Sequence, residues 1–298
     1  MLALVGIVFV FLAVFGGYLL EKGNPYVLLQ PAELLIVGGA ALGIILTANR
    51  PAVIRRMWKG AVAIFARRPP SSAYFLRSLR MLYEIFSYAQ RAGLAALEND
   101  VEEPHGSKML SRYPELLSDS AALGFLCDSL RMLVIGATSP RELDHLMDVD
   151  IEIQRRGRRE PVSALSSVAD SLPGLGIVAA VLGVVITMQA IGGSPEHVGE
   201  KVAAALVGTF LGILLCYGVV GPVAARLESM SEAYLEYLQV LRTAMVAFAG
   251  GASPILALEY GRRSIPVDCR PSFVEMETTI RREAVIPPVA GYKGHVAS

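Results

Sequence analysis

The sequence predicts an all-α integral membrane protein: four transmembrane helices, with a helical cytoplasmic domain between spans 2 and 3. Three observations lead there. Two runs, Ser171–Ile191 and Val202–Ala225, contain no Asp, Glu, Lys, Arg or His. Each is long enough to cross a bilayer, since about 20 residues at about 1.5 Å rise span the hydrocarbon core. The third is composition. Of 298 residues 53% are hydrophobic and 18% charged, with zero formal net charge and a mean hydropathy of +0.49. A chain without a net basic field has no electrostatic reason to collect nucleic acid.

The first span is Leu2–Leu20, closed by Glu21 and Lys22. It lacks the basic start and small-residue cleavage site of a signal peptide, and it is longer than a usual signal core. The second is Leu34–Ala48, after Pro31, Ala32 and Glu33. A run that short also suits a buried soluble helix, but beside three longer apolar runs it reads as a span. Lys and Arg set the orientation. Arg50, Arg55, Arg56, Lys59, Arg67 and Arg68 follow the second span, Arg155, Arg156, Arg158 and Arg159 precede the third, and Arg226 follows the fourth. Both termini and the segment 51–170 are therefore expected in the cytoplasm of a multi-pass plasma-membrane protein, with two short loops outside.

Between the spans the pattern is helical. Residues 52–68 alternate basic and apolar faces around Trp58, which suits a helix in the membrane interface, and Pro69-Pro70 ends it. Phe75, Leu79, Leu82 and Phe86 recur at helical spacing, as do Leu126, Leu130 and Leu133. Glu142–Arg156 has acids early and arginines late, as the helix dipole favours. Leu227–Ala249 continues the fourth span as a helix, and the last fifteen residues, with Pro287, Pro288, Gly291 and Gly294, read as disordered. The domains expected are 1–50 (spans 1 and 2), 51–169 (cytoplasmic), 170–226 (spans 3 and 4), 227–283 (C-terminal helices) and 284–298 (tail).

The spans contain small residues four apart: Gly39 and Gly43, Gly176 and Ala180, Ala179 and Gly183, and Ala204, Gly208 and Gly212. Such ridges let helices pack closely in lipid, though many multi-span proteins have them. Pro173 and Pro222 fall at the same depth, near the cytoplasmic ends of spans 3 and 4. Pro222 cannot bond the Gly218 carbonyl, which implies a kink. Pro173 has a plainer reading, a first-turn proline after the caps Asp170 and Ser171. Thr209 is the one hydroxyl deep in span 4. It either bonds back to its own helix or faces a partner. Intramembrane charge usually marks the residue that carries an ion. Spans 3 and 4 have none, so an ion-handling protein of this design needs a second chain. Cys127, Cys216 and Cys269 form no metal or disulfide pattern. No nucleophile elbow, zinc motif or phosphate loop is present, so neither an enzyme nor a cofactor is expected.

The blocks DSLPGLGIVAAVLGVV (170–185) and LVGTFLGILLCYGVVGP (206–222) resemble the A-subunit family of flagellar motor stators, among the MotA/TolQ/ExbB proton channels. VFGGYL (14–19), QPAELLIVGGA (30–40), LENDVEEP (97–104), PILALEYGRR (254–263) and RPSF (270–273) extend the resemblance over about 280 residues in order. It implies a homo-oligomeric ring in the bacterial inner membrane, in contact with lipid. The ring surrounds a MotB-type single-span subunit anchored to peptidoglycan, whose membrane aspartate carries the proton. It assigns Pro173, Pro222, Thr209, Ala180 and Asp170 to the ion pathway and its coupling. It also implies contact with the rotor protein FliG through Gln90, Arg91 and Glu98. Some relatives have arginine where this chain has Gln90, so torque falls to Arg91 or is compensated elsewhere. Arg91 and Glu98 share a face if one helix continues through Gly93; without the resemblance they read as a solvated face. The alternative is an ExbB/TolQ-like energiser of outer-membrane processes, which has three spans and the opposite N-terminal orientation.

Overall fold

The computed structural model describes residues 2–66, 69–136, 138–188 and 194–282. Among these residues every regular element is helical, and four helical stretches are long and apolar enough to cross a membrane. The predicted tail at 284–298 and the end of the interfacial run at Arg67 and Arg68 lie outside the described residues.

Helix α1 (Leu2–Leu20) stops at Lys22, whose φ is 58°. A short turn follows, α2 (Pro25–Leu28), capped by Asn24, whose Oδ1 accepts from the Tyr26 amide at 3.0 Å. Helix α3 (Pro31–Ala48) starts at a proline in its first position, where no N–H is needed. The second span is therefore three residues longer than the apolar run suggests, and Glu33 is inside it. Helix α4 (Pro51–Ala66) buries Val53, Met57 and Ile64 and leaves Trp58 and Val62 exposed.

Helix α5 (Ser72–Ala92) buries Phe75, Leu79, Leu82 and Phe86, the predicted stripe. It ends at Gly93, where φ is +89°, a region closed to side chains with a Cβ. Short pieces follow, α6 (Glu98–Glu102) and α7 (Pro114–Leu117). Helix α8 (Ser120–Ile135) begins at Asp119, whose Oδ1 accepts from the amides of Ala121 and Ala122. It closes on left-handed Gly136.

Helix α9 (Pro140–Met188) is 49 residues long and contains Pro161 and Pro173. Its start is a reciprocal box: the Ser139 amide donates to Glu142 Oε2 at 2.8 Å and the Glu142 amide to Ser139 Oγ at 3.3 Å. The plainer reading of Pro173 puts a helix start at Asp170 and Ser171. That is corrected here. The helix runs unbroken through both, Asp170 is exposed, and Ser171 Oγ donates to Val168 O within the helix at 2.8 Å. Helix α10 (Pro195–Leu215) leads through a π-helical turn, Cys216–Val220, into α11 (Gly221–Ala249). Helices α12 (Pro254–Ser264), capped by Ser253, and α13 (Phe273–Arg282) follow.

The chain forms two compact units, each from separate stretches. The first joins Met1–Pro69 with Arg155–Glu232 and has the spans. Its core is Val37, Ala41 and Ile45 of α3 against Met57, Leu165, Leu172 and Ala224. The second joins Pro70–Gln154 with Ala233–Ser298. There the stripe of α5 packs on Leu126, Leu143, Leu238 and Leu241, Phe86 stacks on Phe248 at 4.3 Å, and Tyr237 is fully buried. Burial pushes the Cys127 thiol up to about 11, so it is an inert core residue.

Candidate functional site

Helices α9 and α10 meet along a seam that only glycine and alanine permit. A Cβ on Gly176 would lie 2.7 Å from Gly208 O, and one on Gly212 would lie 2.5 Å from Leu172 O. One on Gly183 would meet the Ala205 Cβ at 2.6 Å. These distances are shorter than van der Waals contact allows, so the backbones touch, which is how helices associate without a hydrophobic force between them. The small-residue ridges of spans 3 and 4 thus face each other. The ridge of span 2 does not take part, since a Cβ on Gly39 or Gly43 would meet nothing within 4 Å.

One charged residue type enters this seam, and it comes from α3. Glu33 is 7% exposed. A Cβ on Gly208 would lie 2.5 Å from Glu33 Oε2 and 2.8 Å from the Ala179 Cβ, and one on Gly183 would lie 3.4 Å from Glu33 Oε1. The carboxyl therefore occupies the notch left by two missing side chains. Oε2 is buried and has no hydrogen-bond partner among the described residues. Read from the sequence alone, Glu33 belongs to the QPAELLIVGGA block that carries the resemblance and otherwise suits a charge at the outer interface. Its place in the first turn of the second span was visible in QPAEL, but the two glycines that receive it are about 150 residues or more away.

Thr209 adjoins this notch. Thr47, Thr187, Thr243, Thr278 and Thr279 each donate a hydroxyl to the carbonyl four residues back. Thr209 does not. It is half-buried and among the described residues its hydroxyl has no partner, so the back-bonded reading is excluded for this structure. Ala180 is half-buried, with its amide against Gly208.

The prolines differ from one another. Pro173 is half-buried inside α9. Pro161, which sequence reasoning passed over, is buried in the same helix. Pro161 frees the Gly157 carbonyl, and Arg56 Nη1 donates to that oxygen at 3.0 Å while Nη2 meets Glu160 Oε2 at 2.5 Å. Pro222 is exposed and follows the π turn, in which the Gly221 amide bonds Cys216 O five residues back. That turn absorbs the missing hydrogen bond of Pro222.

The second unit holds the expected rotor-facing residues. Gln90, Arg91 and Glu98 are all exposed, and Arg91 Nε donates to Ser87 O at 3.0 Å. The single helix that would align Arg91 with Glu98 is absent. Helix α5 ends at Ala92, a 3₁₀ turn spans Leu94–Leu97, and Glu98 opens α6. In the same unit Arg242 is clasped by Asp144 at 2.7 Å and Asp148 at 2.5 Å. Glu259 accepts from Arg262 and Arg263, which hold its carboxyl down to about 2.

Residues 4–93 match the family described as motility protein A, N-terminal, and residues 118–240 match the MotA/TolQ/ExbB proton channel family. Motility protein A of Escherichia coli (strain K12) is 37% identical over 94% of this chain and 95% of its own length. Chemotaxis protein LafT of Vibrio parahaemolyticus is 34% identical over 91% of this chain and 95% of its own. In three dimensions the chain resembles a chain of the C. jejuni MotAB structure, with a TM-score of 0.75 and 22% identity, covering 91% of this chain and 98% of that one. With four candidate spans, a small-residue seam and relatives aligned nearly end to end, this chain belongs to the motility protein A family of the MotA/TolQ/ExbB proton channels.

Proposed function

We propose that this chain is the proton-conducting, torque-generating A subunit of a flagellar motor stator in the bacterial inner membrane. The observation that carries this is end-to-end similarity to motility proteins, on a chain whose third and fourth spans have no charge of their own. Such spans form a dry wall. A carboxylate on a second chain moving along the wall is stable there only when neutralised by a proton. The C. jejuni neighbour is a MotAB complex, which supports a MotB-type single-span partner and a ring of copies of this chain. The basic flanks of the spans support cytoplasmic termini.

Protonation from outside neutralises the partner's acid, and release inward restores its charge. The two states prefer different positions against the ring, which gives a step. Pro173, and the π turn before Pro222, leave α9 and α11 with interrupted hydrogen-bond ladders where flexing costs least. Arg91 and Glu98, both exposed, pass the motion to the rotor protein FliG. The energiser alternative is not favoured, because the relatives are motility proteins and the chain has four candidate spans.

Deleting the gene and imaging cells with stained flagella tests the reading. The expected result is intact but motionless flagella, with rotation restored by supplying this chain. Normal swimming together with failed uptake across the outer membrane would move the chain to the energiser class.

A further inference from the structure

Glu33 is the feature of the spans that the stator reading leaves unused. Its carboxyl is buried at 7% exposure, its Oε2 has no partner among the described residues, and its seat is made by Gly208 and Gly183. An ionised carboxylate without a hydrogen bond or counter-charge is costly in a dry site, and binding a single proton removes that charge. Among the described residues, the stretches of α9, α10 and α3 that pack around it bring no counter-charge. Residues 171–188 of α9 and 202–215 of α10 contain no Asp, Glu, Lys, Arg or His, and Glu33 is the one charged residue of α3. The charges nearest along α10, Glu200 and Lys201, are exposed and about two turns before Gly208. Those of the α1–α2 connection, Glu21 and Lys22, are exposed as well.

A metal ion needs more oxygens than this seat has. Sites for hard cations use six or so oxygen ligands, and among the described residues no three acids, histidines or cysteines are grouped to hold one. Two carboxyl oxygens between glycine backbones fit a proton. The neighbour of that seat is Thr209, with its unpartnered hydroxyl, so two hydrogen-bonding groups of this chain lack internal partners around Gly208.

We propose that Glu33 is a proton-binding site of this chain, seated between α9 and α10 on the outer half of the spans, which loads the proton onto the partner's acid. Glu33 takes a proton from outside water to become a neutral carboxylic acid. It then gives that proton to the carboxylate of the second chain, which becomes neutral as Glu33 returns to the ionised form. Glu33 thereby sets how fast the wall is loaded, while the second chain's acid carries the proton inward. This rests on the stator reading and on the orientation drawn from the basic flanks.

The test uses full-length chain with its single-span partner, in cells that lack their own copy, and reads motor speed at fixed load while external pH is varied. Glu33→Gln keeps the shape and removes the titration. Its motors are expected to assemble but turn several-fold slower, with a flattened response to external pH, and Glu33→Asp to recover part of both. Wild-type speed and wild-type pH response in Glu33→Gln would overturn the proposal and leave Glu33 as a space-filling side chain. If Glu33→Gln does not assemble, infrared difference spectra of the wild-type complex in lipid decide. A protonated-carboxyl C=O band that shifts in Glu33→Asp supports the site, and no such band overturns it. Failure of the stator reading looks different, because deleting the gene would then leave rotation intact.

Discussion

At the residue scale, Gly208 matters for what it lacks. An alanine there would put a Cβ 2.5 Å from Glu33 Oε2 and 2.8 Å from the Ala179 Cβ. Helix backbones cannot yield as a flexible side chain can, and overpacking of this kind costs about 1–3 kcal/mol. Gly208→Ala is therefore expected to lower the melting temperature of the purified complex and to stop swimming. Gly39→Ala, which would meet nothing within 4 Å in this chain, is the control and should leave the melting temperature of the chain's own fold unchanged. Equal effects of the two would show that the α9–α10 seam is not the tight contact described. Glu259 gives a second residue-scale test. Its donors Arg262 and Arg263 hold the carboxyl down from an ordinary 4.5 to about 2. A depressed carboxyl adds stability above its unfolded value and loses it as pH falls through its folded value. The melting-temperature gap between wild type and Glu259→Gln should thus be full above pH about 4.5 and close towards pH about 2. A gap that does not change with pH would assign the effect to packing.

At the element scale, the question is where long helices are interrupted. Helix α9 accommodates Pro161 because Arg56 supplies a donor to Gly157 O, which replaces the bond the proline cannot make. The α10–α11 run accommodates Pro222 through the π turn at Cys216–Val220. Pro222→Ala restores an amide that can bond Gly218 O, so the turn can relax towards a regular α-helix. The expected outcome is a complex of wild-type abundance with reduced swimming and reduced proton conductance. Normal motility with normal conductance would remove Pro222 from the coupling. The small-residue spacing of α9 and α10 was legible in the chain, since four-residue spacing is a local property of one helix. That the same spacing in α3 leaves Gly39 and Gly43 without an internal contact was not, because a ridge does not specify which helix it meets.

For the whole molecule, the chain divides into two compact units, one with the candidate spans and one with the expected rotor-facing residues. Helix α9 contributes residues to both units, Pro140–Gln154 to one and Arg155–Met188 to the other. The proposed rotor-facing role is tested across molecules. Glu98→Lys should impair swimming, and a reversed charge on the rotor protein should restore it. Full torque with Glu98→Lys alone would count against direct contact. The break at Gly93 bears on this, since Arg91 and Glu98 belong to different helices and need not act as a pair.

Properties that belong to one stretch of chain were readable without a structure. Apolar length marked four spans, the absence of charge in spans 3 and 4 called for a second chain, and the quoted blocks identified the family. Each depends on neighbours in sequence, or on their transfer between water and lipid. Packing decided the rest. It ran α9 through Asp170 and Ser171, whose cap signature is overridden once the surrounding helix is buried on both sides of them. It left the Thr209 hydroxyl without the back-bond that the other helical threonines in the described residues make. Above all it brought Glu33 to Gly183 and Gly208, because a buried carboxyl is defined by the side chains that are missing around it, and those lie on helices far along the chain.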